Sequence, residues 1–227
     1  MSTAIIGTGN IGSRLARDLV NGGERVVLAA RDEAHAAALA RELGSLASSA
    51  AVSEAIADAD VVVLAVWLDQ IREVIAQNAD ALKGKVVVDP SNPLKPDGKG
   101  GMIRSLPEGQ SAAAVVASLL PAEAHYVKAF GTLVPPSLGS GANRSPRRAV
   151  LFYATDDDQA AATIERLIVI AGLDPVKAGG VKDAARIEVP GGDLHEYGGL
   201  NGRLLDADEA RARSAQAAPS HPRRGRP

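Results

Sequence analysis

GTGNIG, Gly7 to Gly12, is the stretch whose reading decides the fold. It matches G-x-G-x-x-G, a pattern that is weak alone and strong when a strand leads into it and a helix leaves it. Here TAIIG, residues 3–7, is a short apolar run, and the Ser13–Leu19 stretch SRLARDL continues as a helix. A second apolar run, RVVLA at 25–29, follows at the interval of a βαβ unit. Gly7 permits the tight turn, Gly9 lets the backbone approach a pyrophosphate, and Gly12 lets helix and strand pack closely. Thr8, Asn10 and Ile11 complete the loop, and the free N–H groups at the positive helix end suit phosphate charge.

The strand after this unit ends in Ala29 and Ala30, followed by Arg31 and Asp32. A carboxylate at this point would accept hydrogen bonds from a free ribose 2′-hydroxyl and repel a 2′-phosphate. Arg31 offers planar, charge-assisted donors that suit the phosphate, so NADP(H) is expected rather than NAD. Asp32 is expected to turn outward or to cap the helix DEAHAAALARELG. His35, one turn on, is a further candidate beside the phosphate, with a plain surface histidine as the other reading. Ala65 and Val66, closing VVVLAVW, are small enough for a cofactor to lie close. Trp67 either walls the pocket or packs in the core; core packing is the expectation.

Farther along, apolar runs of strand length alternate with Ala-rich helical stretches, the pattern of a parallel sheet covered on both faces. Strands are predicted at 3–7, 25–29, 61–66, 85–89, 126–130, 149–154 and 175–178, with a possible short one at 45–47. Helices are predicted at 11–22, 33–43, 53–57, 69–80, 111–120, 157–171 and 180–188. Residues 91–110 and 131–148 are too rich in Gly and Pro for regular structure, and both follow strand ends, where open parallel sheets bind ligands. The fold class is therefore α/β: a Rossmann-type, doubly wound, mostly parallel sheet, extended by C-terminal strands and covered by a small C-terminal cap. Residues 1–150 form the NADP-binding part, 151–210 a smaller substrate or dimerisation part, and 211–227 a disordered tail.

Composition narrows the function. The 227 residues include no cysteine, which excludes disulfides, thiolate metal sites and cysteine nucleophiles. The net charge is −2, and setting aside the five arginines after residue 210 leaves 20 basic against 27 acidic residues, a body without a nucleic-acid footprint. No apolar run reaches membrane-span length and no leader precedes the first strand, so a cytoplasmic protein with no membrane partner is expected. No G-x-S-x-G elbow occurs. The set DLHE at 193–196 has too few ligands at the wrong spacing for a metal, so none is expected.

Several phrases together resemble the NADPH-dependent reductases of the deazaflavin coenzyme F420. They are GTGNIGSRLARDL, AARD, VDPSNPLKPDG, GQSAAAVVASLLP leading into HYVKAFGTL, and VKAGGVKDAARIE, spread over residues 3–189. The resemblance implies hydride transfer between NADP(H) and coenzyme F420 or a related flavin, with no catalytic nucleophile. It maps a serine-arginine pair onto Ala30 and Arg31, and it places Ser91, Asn92 and Pro93 at the nicotinamide end. It puts Gly131, Thr132 and Leu133 on the substrate face, where the family's K-A-F-N-T has become KAFGT, with Gly131 replacing an asparagine. Lys128 in this motif reads either as a countercharge for an anionic ring or as a structural anchor. The stretch PGGDLHEYGGLNGRL, 190–204, departs from the family's apolar ending; its Asp193, His195, Glu196 and Tyr197 are candidates for a substrate rim or an inter-subunit loop, and His195 also for proton donation. A homodimer is also implied. Two other functions stay open: reduction of a small carbonyl or imine, and a non-catalytic NADPH sensor.

Overall fold

The computed structural model describes residues 1–216. Its sheet has eight strands: β1 (Thr3–Ile6), β2 (Val26–Ala29), β3 (Ala47–Ser49), β4 (Val61–Leu64), β5 (Val86–Asp89), then β8 (His125–Lys128), β9 (Val150–Ala154) and β10 (Asp174–Gly179). The two remaining strands, β6 (Leu94–Pro96) and β7 (Met102–Arg104), form a separate antiparallel hairpin. The sheet order is β10-β9-β8-β5-β4-β1-β2-β3. The chain winds outward from β1 through β2 to β3, then returns to the other side of β1 at β4. That reversal between β1 and β4 is the switch point at which such sheets open a crevice for a dinucleotide.

The continuous apolar runs are explained by two cores, one on each face of the sheet. Ala4, Ile6, Val62, Leu64 and Val87 point to one core, and Ile5, Val61, Val63, Val86 and Val88 to the other. The first is covered by α3 (Val52–Asp58), α4 (Leu68–Leu82) and α5 (Ala112–Leu119), by the 3₁₀ segment Val181–Ile187, and by α8 (Ala207–Ser214). The second is covered by α1 (Asn10–Asn21), α2 (Glu33–Leu43), α6 (Pro135–Gly141) and α7 (Asp158–Ile170). A strand with both faces covered has no polar face to show, so β4 reads VVVL and is wholly buried.

β9 and β10 belong to this same sheet. β10 is parallel to β9, whereas β9 meets β8 antiparallel through Lys128 and Ala154. Arg166 on α7 reaches back to the buried Glu24 beside β2, at 2.6 Å, and Thr3 Oγ1 donates to the same carboxylate. The residues after 150 are thereby bound to the first βαβ unit by charge as well as by packing.

Five sequence expectations change here. Residues 91–110 do contain regular structure, the β6–β7 hairpin. Asp97 Oδ1 accepts the N–H groups of Lys99 and Gly101, while Gly98 and Gly100 take positive φ, and together these close the turn. Residues 131–148 hold α6, whose two leading prolines suit a first helical turn that needs no N–H donors. The segment 180–188 is a 3₁₀ helix, and the short strand expected at 45–47 lies at 47–49. Residues 211–214, expected in the tail, complete α8, which Asp206 caps; residues 217–227 lie outside the described residues.

Candidate functional site: a dinucleotide cleft with a buried polar floor

The three loop glycines do different work. A Cβ on Gly7 would lie 2.4 Å from the Ala65 carbonyl oxygen and 2.6 Å from Val66 Cγ1, so the turn after β1 touches the end of β4. A Cβ on Gly12 would lie 2.0 Å from the Gly7 carbonyl oxygen, which fixes how closely α1 sits on the loop. Gly9 meets nothing within 4 Å. As N-cap of α1 it supplies no side-chain cap, so the helix presents its first amides and its positive end to open space. Two collisions around one open position are what a pyrophosphate cradle requires, and the residues present fit an NADP-type dinucleotide.

At the end of β2 the structure places Arg31 and Asp32 differently. Asp32 caps α2, its Oδ1 accepting the His35 N–H at 3.0 Å, so its carboxylate is committed to the helix. Arg31 and His35 are both exposed on that edge, and Ala30 is half-buried beside them. Ala65 and Val66 are half-buried at the end of β4, in contact range of Gly7. Trp67 does not pack in the core as expected: it is 44% exposed, because α4 starts immediately after it and Leu68 takes the buried position.

The junction at the ends of β5 and β8 has a charged floor that the sequence did not disclose. Lys128, 1% exposed, lies 3.0 Å from Asp89 Oδ2 and 3.4 Å from Glu188 Oε1, and also donates to the Ser91 carbonyl oxygen. Tyr126 donates to Asp89 at 2.8 Å; burial, then the Asp89 charge, pushes its phenol pKa well above the ordinary value. Glu188 accepts from the N–H groups of Ala112 and Ala113 and from Ser111 Oγ, capping α5. Of the two roles considered for Lys128, the geometry is that of an anchor: an ammonium held by two buried carboxylates has no free face for a ligand. Breaking such a set would leave charge buried without a partner.

Above this floor, Asn92 Nδ2 donates to the Gly131 carbonyl at 3.0 Å, and its Oδ1 accepts the Val189 N–H at 2.8 Å. A Cβ on Gly131 would lie 2.4 Å from the Pro90 carbonyl oxygen, a close approach that excludes the asparagine expected from the resemblance. His195 Nε2 also reaches the Gly131 carbonyl, at 2.9 Å, while its Nδ1 accepts the Tyr197 N–H at 3.1 Å. One donating and one accepting nitrogen define the neutral ring. Burial pushes its pKa below the usual histidine value, against the raising influence of the Gly131 carbonyl and Glu196. His195 is 2% exposed, so it pins Gly131 from within and offers no nitrogen to a rim or for proton donation.

Of the other predicted substrate residues, Leu133 faces the apolar core and Thr132 is 1% exposed with its Oγ1 unpaired. Ser91 and Pro93 are buried, Ser91 through the Lys128 contact. Glu196, expected on a rim, is buried and caps the start of α6 through the Val134 N–H and Ser137 Oγ. Asp193 is likewise occupied, by Arg186 at 2.8 Å.

A parallel sheet with a glycine cradle at its switch point is the architecture of a dinucleotide-binding fold, here with an open arginine at the next strand end. Residues 2–93 match the family model for NADP oxidoreductase, coenzyme F420-dependent. The chain is similar to the metalloreductase STEAP3 of Rattus norvegicus, 32% identical over 184 residues, 81% of this chain; the chain spans 35% of that relative's length. A solved hypothetical protein from Sinorhizobium meliloti is 28% identical, covers 92% of this chain and 96% of its own, and superposes with a TM-score of 0.79. An Arthrobacter sp. FB24 structure, named as a candidate F420-dependent NADP reductase, is 24% identical with a TM-score of 0.68, over 80% of this chain and 86% of its own, which supports the fold. Among the described residues no helix is long and apolar enough to cross a membrane.

Proposed function

We propose that the protein transfers a hydride between NADP(H) and a deazaflavin of the coenzyme F420 kind, or a related flavin. The observation that carries the cofactor half is the division of labour at the end of β2: Asp32 is spent on the helix cap and Arg31 is left on the ligand edge. The 2′-phosphate would meet Arg31 with His35 and Ala30 alongside, the pyrophosphate would meet the Gly7–Gly12 loop, and Ala65 and Val66 would border the nicotinamide ribose. Bound nicotinamide supplies the hydride chemistry through its C4 position. The chain supplies proximity and exclusion of water. Asn92 and Lys128 hold the Ser91–Pro93 turn and the Gly131 carbonyl in fixed relation, so the floor under the reacting rings is preorganised. The family match supports F420 as acceptor.

Oxidation of NADPH and of NADH followed at 340 nm with F420, FMN, FAD and a cyclic imine tests this. Turnover of F420 or FMN with NADPH preferred is expected. Turnover of the imine alone would move the protein to imine reduction, and tight NADPH binding without turnover of any acceptor would make it a sensor.

A further inference from the structure

Arg104 and Ser105 belong to no interaction described so far. Arg104 Nε and Nη1 are enclosed by the protein and have no hydrogen-bond partner among the described residues, and Ser105 Oγ is in the same state. A guanidinium cannot shed its charge to escape this, and enclosed donors without acceptors are rare in folded proteins. The missing partner is therefore an acceptor, and the planar fork favours a carboxylate or a phosphoryl group.

The position is as informative as the chemistry. Arg104 ends β7 and pairs with Leu94, and the Ser105 N–H donates to the Pro93 carbonyl at 2.9 Å. Both residues thus stand on the Asn92–Leu94 turn, which the Leu94 N–H closes onto the Asn92 carbonyl at 2.7 Å. Asn92 in turn grips Gly131, and the next residue, Thr132, carries another enclosed and unpaired oxygen, Oγ1. Unpaired polar atoms on segments 27 residues apart are tied by hydrogen bonds to one junction at the ends of β5 and β8. The hairpin also carries Lys95 and Lys99, and its one acid, Asp97, is occupied by the turn amides. Cofactor phosphates are served elsewhere, by the glycine loop and Arg31.

We infer that Arg104, with Ser105, forms an anion subsite for the hydride acceptor, and that the acceptor is a flat ring system bearing a phosphoryl or carboxylate group. The inference rests on the oxidoreductase reading above, in which the acceptor enters at the nicotinamide end. Its test is binding to the NADP⁺-saturated protein, read by ligand fluorescence, for two pairs that share a ring and differ in charge: FMN against riboflavin, and F420 against its tail-free deazaflavin core. The charged member binds about tenfold tighter in at least one pair, the worth of a hydrogen bond to a charged group. Arg104→Ala removes that preference, Arg104→Lys restores part of it, and both leave NADPH affinity unchanged. A wild-type protein without preference in either pair, a preference that survives Arg104→Ala, or a parallel loss of NADPH affinity overturns the subsite. Because this readout needs no turnover, an absence of turnover with these acceptors counts against the proposed reaction alone.

Discussion

At the glycine loop and the end of β2 every feature is local in the chain: Gly7, Gly9 and Gly12 lie within six residues, and Arg31, Asp32 and His35 within five. That region is built from backbone, small residues and one open cation, with almost no buried charge. The junction at the ends of β5 and β8 is built the other way. Its turn at Ser91–Pro93 is held by Lys128, Val189 and Gly131, and Gly131 is held by His195, through contacts that span 37 to 97 residues. A binding surface made by local backbone geometry is robust and generic. A surface made by buried charges and long-range pins can be rigid and particular, at the cost of depending on every member.

The largest effect that would break this contrast comes from the floor. Lys128→Met leaves Asp89 and Glu188 buried with no cation and should cost about 3–5 kcal/mol in urea unfolding. Adding Asp89→Asn should recover part of that loss; an exposed-pair value below about 1 kcal/mol for the single variant would show that the floor is not charged. Gly12→Ala comes next, since its Cβ would sit 2.0 Å from the Gly7 carbonyl oxygen. It should cost about 1–3 kcal/mol and lower affinity for NADPH and NADH alike. Arg31→Ala should weaken NADPH about ten- to a hundredfold in titrations and leave NADH within about twofold. Equal weakening of both would assign the residue to some other part of the nucleotide.

The smallest effect is a pH dependence at the other end. His195 has its folded pKa depressed, so its contribution to stability is fully present above the unfolded value of about 6.5. It is lost as pH falls from there through the folded value, because the unfolded chain takes up the proton first. Urea midpoints should therefore decline over that window in the wild type and decline less in His195→Gln. Parallel curves would mean that the ring is not held neutral inside the protein.

How much of this was legible follows the same division. The G-x-G-x-x-G spacing and the VVVL and VVVD runs announced the switch-point cleft, because periodicity and glycine sterics act within a few residues. The reading of Asp32 as a cap also needed only its own helix. Trp67 was misjudged because hydrophobicity alone does not say which of two neighbours, Trp67 or Leu68, takes the buried position at a helix start. His195, Glu188 and Glu196 look in sequence like solvent-facing polar residues; each is buried only because a distant amide or carbonyl needs a partner there. Nothing near residue 104 signals that two of its guanidinium nitrogens are enclosed.

By itself, then, the sequence determined the α/β layering, the glycine cradle and a cation at the end of the second strand, all consequences of local sterics and short-range patterning. Tertiary structure alone decided that β9 joins the sheet antiparallel, that Lys128 is held by buried carboxylates, that Gly131 has no room for a side chain, and that Arg104 Nε and Nη1 are enclosed without a partner. Those outcomes depend on which groups from far along the chain arrive beside them, and burial turns each such meeting into a requirement for a partner.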